Sequence, residues 1–292
     1  MKKNKNIKMI LLFLVPVAFL YISFFIYPLA FVLGTSLTEW NGISAMKFIG
    51  LGNYKKLLTD GTFLLSIKNN IIWALSGGFI QIPLATMVAL ILARKPRGWK
   101  TLRTIYFLPN IISAVAIAMM WKAIYNPMYG FLNAFLNLFG IEGHNWLGET
   151  ATALPAVIAQ TVLYIGYFMV IIFAATTTIP KSFYEAAEID GCTTLQQEWY
   201  ITLPMIRGIL VTTITLAMAY GMRHFEATFL MTSGGPAHST SVMGLVLYNK
   251  MDAFRLGEAN ATGTILILLG TVVIVLIRKL LSRGDAGSDS VQ

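Results

Sequence analysis

The chain's 292 residues are 56% hydrophobic and only 12% charged, about half the charged share of an ordinary soluble domain. That composition argues against a soluble globular protein, and the single cysteine, Cys192, excludes an intrachain disulfide and cannot by itself build a cysteine metal site. The formal net charge of +9 leaves nucleic acid or an acidic membrane surface as partner, and the placement of the basic residues decides between them.

Apolar runs of roughly 20 residues can cross a bilayer as helices. Six are expected: Met9–Leu33, Ile71–Ala93, Thr104–Ile124, Leu154–Thr178, Gly208–Met231 and Ala259–Leu280. The first follows Lys2, Lys3, Lys5 and Lys8, as a signal peptide would. Its apolar stretch is about twice a signal-peptide core and no small-x-small cleavage site follows, so it reads as an uncleaved span. Between the first two spans, Thr38–Asn70 mixes polar residues with Phe48, Tyr54, Leu57, Leu58, Phe63 and Leu64, a pattern suited to a helix lying on the membrane surface. Tyr125–Ala153 carries Phe131, Phe135, Leu136 and Phe139 and reads the same way. Ser233–Glu258 opens on a Gly234-Gly235-Pro236 turn.

The basic residues set the orientation. With the N-terminus in the cytoplasm, the inside segments hold the Lys2–Lys8 cluster, Arg94, Lys95, Arg97, Lys100, Arg103, Lys181, Arg207, Arg278, Lys279 and Arg283. The outside segments hold only Lys47, Lys55, Lys56, Lys68, Lys250 and Arg255. Both termini are therefore expected inside, and the positive charge is a topology signal rather than a nucleic-acid patch. The expected organisation is a basic cytoplasmic N-terminus (1–8), an all-α membrane domain (9–281) and a disordered Gly/Ser/Asp-rich cytoplasmic tail (282–292).

The cytoplasmic loop 180–207 is the most informative stretch. Ser182 and Glu185 have capping-box spacing and predict a short helix, and Gly191 can take the left-handed turn that ends it. Thr194 and Gln197 repeat the spacing and open a second helix, while Pro204 suits the first turn of the fifth span. The resulting helix–turn–helix exposes Phe183, Tyr184, Trp199 and Tyr200, a surface too apolar to face only water.

These residues resemble the EAA loop of ABC-importer permeases: Glu185-Ala186-Ala187, then Asp190-Gly191, then Ile201 and Leu203-Pro204. Asp before Gly is similar to the carbohydrate, maltose-type branch. Six spans with the loop before the last two, Gly52-Asn53-Tyr54 after the first span and Gly234-Gly235-Pro236 after the fifth extend the resemblance over nearly the whole chain. Cys192 stands where the family usually has Ala, and Trp199 where Phe is common. The resemblance implies the type I importer permease fold and a multi-pass protein of the bacterial cell membrane. It also implies a coupling helix docked on an ATPase subunit, with Glu185 as polar anchor, Gly191 as bend and the flanking apolar residues as contact surface. No Gly-x-x-x-x-Gly-Lys-[Ser/Thr] loop occurs in the sequence, so ATP and Mg are expected on separate ATPase subunits. Two of those, a second permease and an extracytoplasmic solute-binding protein are the implied partners, and the substrate is a sugar or oligosaccharide.

Polar side chains within spans usually face a cavity or another helix. Gln160, Tyr164 and Tyr167 follow i, i+4, i+7 spacing, and Tyr220 and His224 share a face of the fifth span. At 1.5 Å per residue Tyr164 lies roughly 21 Å from Thr178 and His224 roughly 24 Å from Gly208, so the two clusters sit at similar depth. Aromatic faces with hydrogen-bonding groups suit sugar rings, although helix–helix contact explains the same residues. In maltose-type permeases these two helices line the substrate cavity. Arg223 needs a partner at this depth: either Glu226 at i+3, or, if it faces the cavity, a uronate carboxylate or phosphate. Gln81 and Asn110 read as contacts between helices, and Asn260 and Thr262 as further candidates for substrate contact. A glycerophosphodiester, polyol or other small solute is the alternative substrate. A secondary transporter or a membrane enzyme is the alternative class, and both leave the cytoplasmic motif unexplained. No catalytic or metal-binding set is expected.

Overall fold

A computed structural model describes residues 2–282; of the expected tail 282–292, Ser282 ends a helix and the rest, with Arg283, lies outside the described residues. The described chain is helical apart from one two-stranded hairpin and its connecting turns. Three helices are long and apolar enough to cross a membrane, Met9–Thr35, Gly61–Ala93 and Leu256–Leu281, and three bent helix pairs raise the number to six if each pair counts as one span. The chain forms two compact units, one from the residues up to Gly61 with Val246–Ile267, the other from Thr62–Leu245 with the residues from Leu268 on.

In the first unit, α1 (Lys2–Tyr21) and α2 (Tyr27–Thr35) are joined by a π-turn at Ile22–Ile26. Helix begins at Lys2, so the basic N-terminus continues directly into the span. Strands β1 (Thr38–Glu39) and β2 (Lys47–Phe48) pair antiparallel, and α3 (Gly52–Thr59) follows. The Gly-Asn-Tyr element opens α3 and ties it back to the end of the first span. Asn53 Nδ2 donates to the Ser36 and Thr38 carbonyls, both at 2.8 Å, and the Tyr54 hydroxyl lies 2.7 Å from Ser36 Oγ. Thr38–Asn70 is thus not one surface helix. Leu57 and Phe63 are fully buried, and the second span begins at Gly61, ten residues before the hydropathy onset. Glu258 gathers Lys250 (3.0 Å), Arg255 (2.6 Å) and Lys56 (3.8 Å).

The second unit contains most of α4 (Gly61–Ser76), then α5 (Ile82–Ala93), α6 (Trp99–Phe107), α7 (Ala114–Ile124), α8 (Phe131–Asn137), α9 (Ala153–Ala159) and α10 (Ile165–Thr176). It continues through α11 (Lys181–Ile189), α12 (Thr194–Gln197), α13 (Leu203–Met205), α14 (Arg207–Met222) and α15 (Glu226–Thr232), and shares α16 (Met243–Asp252) and α17 (Leu256–Ser282) with the first unit. Its core lies between α5 and α10, where Ala85, Ala89 and Leu92 meet Phe168, Met169 and Ile172.

Prolines explain much of the irregularity. A proline removes a backbone donor, and its ring clashes with the carbonyl four residues back. Three π-turns, Ile22–Ile26, Gly77–Gln81 and Glu198–Thr202, each end two residues before a proline: Pro28, Pro83 and Pro204. The wider turn accommodates the ring without breaking the helix. Pro109 acts differently: it sits in a 3-10 turn, Leu108–Ile111, after which the third span bends by 100°.

Candidate substrate cavity and coupling segment

A cavity of about 310 Å³ opens within the second unit, at the lower end of the ~300–1,000 Å³ typical of small-molecule sites. Small residues bring its walls together. Gly77 lies so close to α14 that an added Cβ would stand 2.8 Å from the Ala217 carbonyl oxygen, and one on Gly221 would stand 2.7 Å from Ala74 Cα. Such close approach is what small residues permit in membrane helix pairs. Asn70, on α4, spans the break after α14: Nδ2 donates to the Met222 carbonyl and Oδ1 accepts from the Met243 N–H, both at 2.7 Å.

Gln160, Tyr164, Tyr167, Tyr220 and His224 all line this cavity. They reach it by a route that regular helical spacing does not describe. Gln160–Tyr164 is a 3-10 turn between α9 and α10, and the fifth span stops at Met222 and restarts at Glu226, which suits an acid at a helix N-terminus. Arg223 is not among the described lining residues. Its guanidinium lies 5.6 Å from the Tyr220 ring centre, and among the described residues no ion pair joins it to Glu226. The break removes the i, i+3 helical geometry that the pairing required.

Several wall residues carry unspent hydrogen-bonding capacity. Among the described residues, Gln160 Oε1, His224 Nε2 and Trp73 Nε1 are buried with no partner. Trp73 and His224 stack at 3.8 Å, and Tyr167 and Tyr220 are 41% and 51% exposed. The cavity thus offers open aromatic faces edged by unpaired polar atoms. Gln81 and Asn110 also line it. Asn260 and Thr262 do not: Asn260 donates to Thr35 Oγ1 at 2.7 Å, and Thr262 bonds to the Glu258 carbonyl.

The segment 180–207 folds as two short helices around Gly191, whose φ of +77° is the left-handed conformation that glycine tolerates. The Cys192 N–H reaches the Ala187 carbonyl at 2.9 Å and the Gly191 N–H reaches Glu188 at 3.1 Å, the paired bonds of a Schellman turn. Both capping assignments need correction. Pro180 caps α11 without a side-chain bond, so Ser182 and Glu185 form no box. The second box is one residue earlier than expected, Thr193 with Gln196. Pro204 lies in α13, before the 73° bend that leads into α14, rather than in the first turn of the fifth span.

Glu185, Ala186, Asp190 and Gly191 are exposed, Ala187 is buried, Leu203 is half-buried and Pro204 is exposed. Phe183, Ile189, Leu195, Trp199 and Tyr200 stand out from the surface at 49–87% exposure. Tyr184 turns inward, its hydroxyl 2.9 Å from Thr202 Oγ1.

Residues 81–284 match the family described as the binding-protein-dependent transport system inner membrane component. The chain belongs to this family. A probable ABC transporter permease of Pyrococcus horikoshii is 31% identical over 282 residues, covering 94% of this chain and 96% of that one. The multiple sugar-binding transport system permease MsmF of Streptococcus mutans is 33% identical, covering 92% and 93%. The fold matches a chain in the crystal structure of a bacterial alginate ABC transporter in complex with alginate pentasaccharide-bound periplasmic protein, with a TM-score of 0.85, 22% identity and 98% coverage of both chains.

As an ABC-importer permease the chain is a membrane transport subunit, not an enzyme. Two functional candidates in this permease were not visible as such in the sequence. Trp73 reads in the sequence as one more apolar residue of the second span, and its place in the cavity lining and its ring contact with His224 assign it to the cavity. Arg94 looked like a topology charge, but its Nε donates to Glu198 at 2.8 Å and its Nη2 to the Thr194 carbonyl and Gln197 Oε1. Sequence offers no signal for a pair 104 positions apart.

Proposed function

We propose that this permease forms half of the translocation pathway of an ATP-driven importer for a sugar or oligosaccharide, with the described cavity as its share of the substrate site. The observation that carries this reading is the set of buried, unpartnered polar atoms on Trp73, Gln160 and His224 among open aromatic faces. Polar groups left dry are costly in a membrane protein, and a hydroxyl-rich ligand satisfies them. Aromatic rings meanwhile cover the C–H faces of a pyranose. The role of the MsmF relative in multiple-sugar transport supports the same class.

In this reading the chain crosses the membrane six times with both termini in the cytoplasm, in keeping with the basic residues. It pairs with a second, homologous permease and with two ATPase subunits that bind ATP and Mg, and it receives substrate from an extracytoplasmic binding protein. The alginate transporter of the same fold was crystallised with such a protein. The segment 180–207 couples the permease to an ATPase subunit. Phe183, Ile189, Leu195, Trp199 and Tyr200 supply the apolar contact, Glu185 and Asp190 the polar one, and Ala186, Ala187, Gly191, Leu203 and Pro204 the backbone shape. Closure of the ATPase dimer on ATP moves this segment and opens the cavity to the outside.

The test is ATP hydrolysis and uptake by the assembled complex in liposomes, across a panel of saccharides with the cognate binding protein. Stimulation by a saccharide, lost in Glu185→Ala without loss of the permease from the membrane, is the expected result. Failure of every saccharide with ATPase subunits bound would overturn the sugar assignment.

A further inference from the structure

The charge inside the cavity has a definite sign. Among its described lining residues there is no lysine or arginine, and the carboxylate comes from Glu226. Arg223, the cation nearest in sequence, lies over the Tyr220 ring and outside that lining. Glu226 forms no ion pair among the described residues, it is exposed, and it is close enough to Tyr164 to interact with it electrostatically. It stands at the first position of α15, immediately after the break that also presents His224.

We propose that Glu226 is a specificity-determining residue of the cavity, accepting hydrogen bonds from the hydroxyls of an uncharged oligosaccharide and excluding chains that carry uronate carboxylates. This deepens, and rests on, the reading of the cavity as a saccharide site. A carboxylate accepting from a hydroxyl makes a short, charge-assisted bond. A second carboxylate brought into the same aromatic-walled space meets no cation among this chain's described lining residues and is repelled by the first. Specificity built this way needs a repulsive element as well as attractive ones. Gln160, Trp73 and His224 supply bonding atoms for any sugar, so they do not distinguish a glucan from a uronan; Glu226 does. The fold itself does not set this sign, since the alginate transporter that shares it imports an acidic polysaccharide.

The experiment uses the whole complex in nanodiscs without its binding protein, so that selection upstream of the membrane plays no part. Calorimetric titration compares neutral tetrasaccharides (gluco-, chito- and galacto-linked) with tetragalacturonate and tetramannuronate. The wild-type complex is expected to bind its best neutral ligand at least about tenfold more tightly than either uronate, and Glu226→Gln to narrow that ratio to about threefold or less. The wild-type ratio needs no variant, so a poorly folding Glu226→Gln leaves the proposal exposed to refutation. A uronate bound by the wild type as tightly as the best neutral sugar overturns it. A neutral preference unchanged in a folded Glu226→Gln overturns the role of Glu226 and leaves the saccharide reading standing. Binding of no saccharide from either set overturns both.

Discussion

Arg94, the residue that ends α5, holds Glu198 at 2.8 Å and so fastens the second span to the segment 180–207. The Arg94 side chain is 38% exposed and that of Glu198 only 13%, which places the pair between a surface and a buried ion pair. Removing either partner is expected to cost ~1–2 kcal/mol, more when Glu198 is left without its cation than when Arg94 is left in water. The cavity residues Gly77 and Gln81 lie on the continuous helix Gly61–Ala93, whose C-terminal end Arg94 caps. Arg94→Ala should therefore lower substrate-stimulated ATP hydrolysis several-fold while the complex stays assembled. The exchange Arg94→Glu with Glu198→Arg should recover part of it. Equal stimulation in Arg94→Ala and wild type would show that the pair does not transmit.

Gly191 is a conformational requirement rather than a steric one. An added Cβ meets nothing within 4 Å, but φ is +77°. Gly191→Ala is expected to cost ~1–2 kcal/mol from the left-handed backbone alone, and Gly191→Asn less. Pull-down of the ATPase subunits should follow the order Gly, Asn, Ala. A Gly191→Ala permease that binds them like wild type would mean that the turn is not needed for docking.

Two glycines of one helix should respond in opposite directions. Gly221 has no room, since an added Cβ would stand 2.7 Å from Ala74 Cα, whereas one on Gly208 would meet nothing within 4 Å. Gly221→Ala should destabilise by ~1–3 kcal/mol through overpacking. Gly208→Ala should stabilise by up to ~1 kcal/mol through helix propensity. Thermal unfolding of the purified complex in detergent reads both, and a shift of the same sign in the two variants would contradict the close helix approach.

Trp199 and Tyr200 are 67% and 79% exposed, so their removal should hardly affect folding. In the combined variant Trp199→Ala/Tyr200→Ala, the expected outcome is normal membrane insertion with loss of bound ATPase subunits. Normal recovery of those subunits would move the contact elsewhere on the segment.

The sequence carried the helical class and the turn at Gly191 well, because both depend on local chemistry, whereas both capping boxes of that loop were misplaced. Hydropathy marks a span whatever its neighbours, and Gly191 with its flanking helices is a matter of short-range backbone bonds. What it missed was long-range. The fifth span reads as continuous from Gly208 to Met231, yet it stops at Met222, where Asn70 satisfies the freed carbonyl from another helix. Once the helix breaks there, Arg223 and Glu226 no longer have the geometry of an i, i+3 pair. The π-turns were also hidden: the prolines foretell distortion, but not whether the helix widens, as before Pro83, or breaks, as around Pro109.

Asn70 uses both ends of one amide at once, donating a hydrogen bond to the Met222 carbonyl and accepting one from the Met243 N–H. Few side chains possess that two-sided chemistry. An aspartate in its place would set a second oxygen against the Met222 carbonyl, and a leucine would leave two backbone groups dry where no water replaces the bond. The residue thus acts as a splice: it joins the severed end of one helix to the start of another through a third. Parting them requires both bonds to be given up together, which makes the three helix segments at this junction a single mechanical part.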